Sequence, residues 1–173
     1  MGRHKALIEI EGEVIVARLA RVMLRAGLSP VVVVAHGEVL EVAHSLDGVT
    51  AIEGDASQPM IDSVARGVDA AAAAAAAELA GAVVQPVDAP FTDEAMIALL
   101  LEQRCACALS FEGTPGHPVY VPRALFDVIR ARGAGGLRAV LAAAGVVQVA
   151  WRDARVLADV DTPADLAAVW GVR

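Results

Sequence analysis

Gly81-Ala82-Val83-Val84-Gln85-Pro86-Val87-Asp88-Ala89-Pro90 reads as a short apolar strand that ends in an aspartate. Pro90, which has no N–H, stops further pairing, so Asp88 falls at the carboxyl edge of a buried strand. Ligands bind at that edge in an open α/β sheet. A carboxylate there, just ahead of the helix-start signal Thr92-Asp93-Glu94, can hold a hard divalent cation that in turn holds phosphate oxygens. It can also serve as an ordinary cap of the next turn or helix.

Outward from this stretch, helical and strand periodicities alternate to both ends, the pattern of βαβ units and a mostly parallel sheet. Apolar residues from Val14 to Leu24 recur at helical spacing, with Arg18, Arg21 and Arg25 on the opposite side and Gly27 as the stop. Val31 to Ala35 is a β-branched run suited to a strand covered on both faces. A helix over 38–46 and a strand over 50–53 follow. The segment 60–80 reads as helix, including the alanine tract 70–77, because alanine has the highest helix propensity. Beyond Asp88 the chain predicts a helix over 94–103, a strand over 105–111, a turn cluster at 113–116 and a short strand over 119–121. Helices over 123–132 and 137–144, strands over 146–150 and 155–160, and a last helix from Pro163 complete the pattern.

The 173 residues fit one domain, 1–173. Hydrophobic residues make up 57% but aromatics only 3%, so Val, Leu, Ile and Ala must build the core. No apolar run approaches the roughly 20 residues of a membrane span, and the start carries no signal-peptide pattern. The expectation is a cytoplasmic protein that acts as a monomer. A formal charge of −7 and a pI near 5.0 repel a phosphate backbone, which argues against nucleic acid but leaves room for a small phosphorylated ligand beside local cations. Cys105 and Cys107 are too few for a structural zinc site and alternate with alanines as packed strand residues do.

A second acidic cluster, Asp159-Val160-Asp161-Thr162-Pro163, again sets an aspartate where an apolar strand meets a helix start. Topology can bring Asp161 beside Asp88. Two carboxylates about 4 Å apart repel by roughly 4 kcal/mol at an effective dielectric of 20, so the pair requires a cation. Mg²⁺ suits it, since it takes one or two carboxylates and fills its shell with water and substrate phosphate. Near the start, Arg3 and Lys5 can neutralise a triphosphate or stand as solvated cations. Ser63 is a candidate hydroxyl contact near a helix start, and His117, between Gly116 and Pro118, is a loop imidazole able to brace or to bind. Gly133-Ala134-Gly135-Gly136-Leu137-Arg138 enters a helix whose N–H groups can receive an anion, or simply connects two helices. No Walker-type loop and no dinucleotide glycine fingerprint is present.

Taken in order, Met1-Gly2 with Lys5, the Met60 to Gly67 segment, Val87-Asp88-Ala89-Pro90, Gly116-His117-Pro118, Gly136-Leu137-Arg138 and Asp159 to Pro163 resemble the MobA-like nucleotidyltransferase family, the molybdopterin nucleotidyltransferases, and most of all its cytidylyltransferase branch. The resemblance implies a Rossmann-like three-layer α/β/α sandwich with a mostly parallel central sheet. It implies an Mg²⁺-dependent enzyme of molybdenum cofactor biosynthesis. Such an enzyme moves a nucleoside monophosphate, CMP ahead of GMP, from a nucleoside triphosphate (CTP or GTP) to a phosphorylated acceptor such as molybdopterin and releases pyrophosphate. Asp88 and Asp161 would then hold the metal, Lys5 the triphosphate, and Ser63 the nucleotide. Arg3, Gly116, His117 and Arg138 would complete the substrate contacts, His117 on the acceptor side.

Family members carry an apolar strand and a loop of the form Leu-Ala-Ala-Gly-x-Ser-x-Arg ahead of the Met-Gly match, which here is residues 1–2. Without that central strand its neighbours would have unpaired backbone groups. A start codon placed too far downstream, a shortened chain, and a non-catalytic remnant that binds a small molecule or a protein all accommodate this. Pro59 and Ala134 also depart from the family pattern, which has glycine and an acidic residue there.

Overall fold

The computed structural model describes residues 4–132 and 135–170. A 3-10 turn, Lys5–Leu7, leads into a small hairpin of β1 (Glu9–Ile10) and β2 (Glu13–Val14) that the sequence reading does not anticipate. Its turn is made by Glu11 and Gly12, both at positive φ (53° and 82°), the backbone twist that a two-residue hairpin demands. Helix α1 (Ile15–Arg25) buries Ile15, Val16, Leu19, Ala20, Val22 and Met23 along one stripe and ends at Gly27, whose φ is +78°.

Strand β3 (Val31–Ala35), helix α2 (Gly37–His44) and strand β4 (Val49–Glu53) form a parallel unit, with Val31 opposite Val49 and Ala35 opposite Glu53. Helix α3 (Met60–Ala74) then leads to β5 (Gly81–Val84). Asp93 caps α4 (Glu94–Gln103) by accepting from the Met96 N–H at 2.9 Å. Strands β6 (Cys107–Phe111) and β7 (Thr114–Pro122) follow as a hairpin, then α5 (Phe126–Arg130), α6 (Gly136–Ala143), β8 (Val147–Ala150) and α7 (Pro163–Trp170).

The architecture is α/β and layered. Helices α1, α2 and α4 neighbour one another on one side of the strands, and α3, α5 and α6 on the other. Each group covers its own apolar clusters: Ile97 and Met23 on the first side, Phe126, Ile129 and Leu137 on the second. The strands, however, form two pieces of mixed direction. One is the parallel pair β3-β4; the other runs β5-β7-β6-β8, with β7 antiparallel to both its neighbours and β6 parallel to β8. Among the described residues no backbone hydrogen bond joins β3 to β5. A cleft of about 360 Å³ separates them.

Four further departures from the sequence reading have local causes. The strand expected over 155–160 is a 3-10 turn, Ala154–Leu157, because the Asp153 carboxylate accepts from the Arg155 N–H at 2.9 Å and turns the chain. Helix α3 stops at Ala74 rather than 80, since Ala75 adopts extended backbone and the chain turns up toward β5, where Leu79 packs on the core. Strand β7 starts at Thr114 instead of 119, because Glu112 and Gly113, at φ 49° and 79°, make a tight hairpin with β6. Cys105 is exposed ahead of β6, after Arg104 ends α4 in the left-handed region, while Cys107 is buried and its thiol is pushed up to about 11 by loss of water.

Candidate functional site

Three residues remote in sequence meet at one end of the strands. Lys5 comes from the 3-10 turn, which His4 caps by accepting from the Ala6 N–H through Nδ1 at 3.3 Å. Asp88 comes from the loop after β5. Gln85 clamps that loop: its Nε2 donates to the Pro86 carbonyl at 3.0 Å and the Ala89 carbonyl at 2.5 Å, while its Oε1 accepts from Thr92 at 2.7 Å. Asp161 precedes α7, whose start is closed by Asp165. That carboxylate accepts from the Thr162 N–H and Oγ1, each at 2.8 Å, and from the Asp161 N–H at 3.2 Å. The Val160 N–H donates to the Asp88 carbonyl at 2.7 Å and so locks the two acidic loops together.

Lys5 Nζ donates to Asp88 Oδ2 at 2.7 Å and to Asp161 Oδ1 at 3.1 Å. The two aspartates expected to share a metal ion here share the Lys5 ammonium. Partial burial works against the charged lysine, but its hydrogen bonds to both aspartates outweigh this and raise its pKa. Asp161 remains open to solvent, at 71% side-chain exposure against 31% for Asp88.

His117 projects from β7 next to this cluster. Loss of water lowers its pKa below the ordinary 6.5, and the nearby Asp88 and Asp159 charges pull the other way. Its Nδ1 is buried and has no hydrogen-bond partner among the described residues. Gly116 beside it is needed for close packing, since a methyl group there would overlap the Val156 carbonyl.

The remaining sequence candidates are not part of this cluster. Ser63 lines the cleft between β3 and β5. Arg138 is exposed on α6, and no hydrogen bond or ion pair ties it to the carboxylates. Arg3 lies outside the described residues, as do Gly2 and Ala134. The sequence reading misses Gln85, although a polar residue closing an apolar strand is a visible signal for a loop clamp. It also misses Asp62, a mostly buried carboxylate on α3 held by Arg66 at 2.6 Å and Arg132 at 2.8 Å.

Asp88 and Asp161 offer oxygen donors only, the chemistry a hard divalent cation prefers, and the exposure of Asp161 leaves room for water and substrate oxygens in the shell. Among the described residues no group of three or more His, Cys, Asp or Glu side chains is placed to hold a metal. A cation here would take the rest of its coordination from water or from a ligand.

The chain is similar in fold to several solved structures. Rv0371c of Mycobacterium tuberculosis H37Rv, described as a complex with manganese, superposes with a TM-score of 0.76 at 18% identity, over 99% of this chain and 95% of that one. The 2-C-methyl-D-erythritol 4-phosphate cytidylyltransferase of Thermus thermophilus gives 0.64 at 21% identity, over 96% and 92%. Molybdopterin-guanine dinucleotide biosynthesis protein A of Archaeoglobus fulgidus gives 0.63 at 16% identity, over 95% and 88%. Among curated protein sequences none matches the chain. The sequence profile of the MobA-like NTP transferase domain matches residues 1–163, and with the α/β layering and the paired aspartates already described, the chain belongs to that nucleotidyltransferase family.

Proposed function

We propose that the Lys5, Asp88 and Asp161 cluster is the centre of an Mg²⁺-dependent nucleotidyl transfer, with CTP favoured over GTP and a phosphorylated acceptor such as molybdopterin. An acceptor phosphate oxygen forms a bond to the α-phosphorus of the triphosphate, the bond from that phosphorus to the bridging oxygen of the β-phosphate breaks, and pyrophosphate leaves. The reaction needs positioning and charge neutralisation more than a strong protein base. Asp88 and Asp161 are the residues that would hold the cation, which when bound neutralises phosphate oxygens. Lys5 then releases the carboxylates and donates to the triphosphate. His117, whose charged form is disfavoured by burial, is proposed to shape the acceptor side. Ser63, Gly116, Arg138 and Arg3 are proposed as further substrate contacts. The protein is proposed to work as a monomer in the cytoplasm.

The observation that carries this reading is the single ammonium shared by two aspartates 73 positions apart in sequence, held in place by the bond from Val160 to Asp88. Release of pyrophosphate from CTP and from GTP, each with molybdopterin and Mg²⁺, tests it. Asp88→Ala and Lys5→Ala are each expected to lower the rate by about 100-fold or more. Undiminished activity in Asp88→Ala would remove the metal role. Absence of heat on mixing any nucleoside triphosphate with the folded protein would favour the non-catalytic binding module instead.

A further inference from the structure

Asp161 has little of its own to hold it in place. Its side chain is mostly open to solvent, and among the described residues only the Lys5 ammonium binds its carboxylate. Its position is therefore set by the backbone on either side: the bond from the Val160 N–H to the Asp88 carbonyl before it, and helix α7 after it. One hydrogen bond is a pivot. It fixes the separation of the two acidic loops and leaves α7 able to swing about it.

A second contact removes that freedom. α7 has eight residues and so runs for about 12 Å. Its last residue, Trp170, stacks on Phe91, with ring centroids 4.8 Å apart and planes 29° from parallel. Phe91 is buried and lies three positions after Asp88 on the same loop. The loop that carries one carboxylate thus grips both ends of the helix that begins at the other. Two guanidiniums secure the grip. Arg18 of α1 has its Cζ 4.9 Å from the centroid of the Trp170 ring, and Arg155 of the 3-10 turn Ala154–Leu157 has its own 5.4 Å from Phe91 and 6.0 Å from Trp170. Arg18 Nε is buried with no hydrogen-bond partner among the described residues, so the ring stands where a polar partner otherwise would. We propose that Phe91 and Trp170 are positioning residues, whose stack fixes the angle of α7 and so holds the Asp161 carboxylate opposite Asp88. The consequence for a bound cation rests on the reading of these aspartates under the proposed function; the placement of Asp161 beside Lys5 does not.

Lys5 is the only lysine in the chain, which makes it a single-site reporter of its carboxylate partners. The test uses the full chain without metal or nucleotide, a limiting amount of an amine-acylating reagent, cleavage at arginines, and mass spectrometry of the peptide that contains Lys5. Trp170→Leu keeps an apolar side chain and loses the stack. It should speed acylation of Lys5 about threefold, as Asp161→Asn does, a factor within what an exposed ion pair contributes. Trp170→Phe, which restores a ring, should return the rate to that of the wild type. Phe91→Leu should act like Trp170→Leu, and the double variant should go no further, since both remove one contact. Leu109→Ala, which loosens a different apolar cluster, should leave the labelling rate unchanged while circular dichroism shows every variant folded. With Mg²⁺ and a nucleoside triphosphate, Trp170→Leu should raise the Mg²⁺ concentration for half-maximal pyrophosphate release about threefold and leave the KM for the acceptor unchanged. Wild-type labelling in Trp170→Leu would overturn the proposal. Labelling of Trp170→Phe or Leu109→Ala as fast as that of Trp170→Leu would do the same, since either would assign the effect to general loosening. The labelling result decides the matter even where the wild type releases no pyrophosphate, an outcome that counts against the proposed reaction alone.

Discussion

Strands β3 and β6 are both five residues long and both almost wholly apolar, yet they end up in different surroundings. β6 has a neighbour on each side, β7 and β8, and buries Cys107, Ala108, Leu109 and Ser110. Among the described residues β3 has one neighbour, and it buries only Val31. The four consecutive valines of β3 have, if anything, the stronger preference for a sheet interior. The difference shows that apolar character specifies what a strand requires, while strand order decides how much of the requirement is met.

The comparison can be broken most directly by cutting into each strand. Leu109→Ala, at a position with no exposure, should cost about 3 kcal/mol in urea unfolding through lost transfer energy and the cavity left behind. Val33→Ala, at a half-buried position beside the cleft, should cost about 1 kcal/mol. Equal losses would mean that the cleft is closed in solution. A second pair adds a methyl group instead of removing one. Gly116→Ala drives a carbon into the Val156 carbonyl on the closed side and should destabilise by about 2 kcal/mol. Gly67→Ala meets only the Val34 Cγ2 atom at 3.3 Å on the open side. Val34 can yield there, and the gain in helix propensity should leave the change neutral or stabilising by up to about 1 kcal/mol.

The smallest effect should be the pH response of His117. Burial lowers its folded pKa below 6.5, so the unfolded chain binds the proton more readily. Stability is therefore fully present above 6.5 and declines as the pH falls below it toward the folded value. His117→Gln should flatten that part of the urea-midpoint profile; an unchanged slope would place the acid sensitivity elsewhere.

Much of this fold is legible because its signals are local. The spacing of Val16, Leu19, Ala20 and Met23 specifies a helix face, and Asp93 three residues before Met96 specifies its cap. What the sequence conceals is pairing. Glu112-Gly113 is a weaker hairpin signal than Asn-Gly, so the antiparallel turn from β6 into β7 reads as a loop, and the sheet consequently reads as parallel. The alanines after Ala74 favour helix locally, yet the chain leaves the helix there to carry Leu79 into the core. In the site, Asp88 and Asp161 stand out as aspartates between an apolar run and a proline or helix start, although the run before Asp161 is a 3-10 turn and not a strand. Their shared lysine is visible only as a nearby cation, because which ammonium falls between them depends on chain paths no local pattern encodes.

The bond from the Val160 amide to the Asp88 carbonyl has a temporal meaning as well as a spatial one. As the ribosome delivers the chain from its amino end, Asp88 emerges long before the residues that fix its loop and supply the opposing carboxylate. Until then Lys5 has only one of its two aspartates beside it. The lysine bridge between the two acidic loops is thereby completed only once residue 161 has been made.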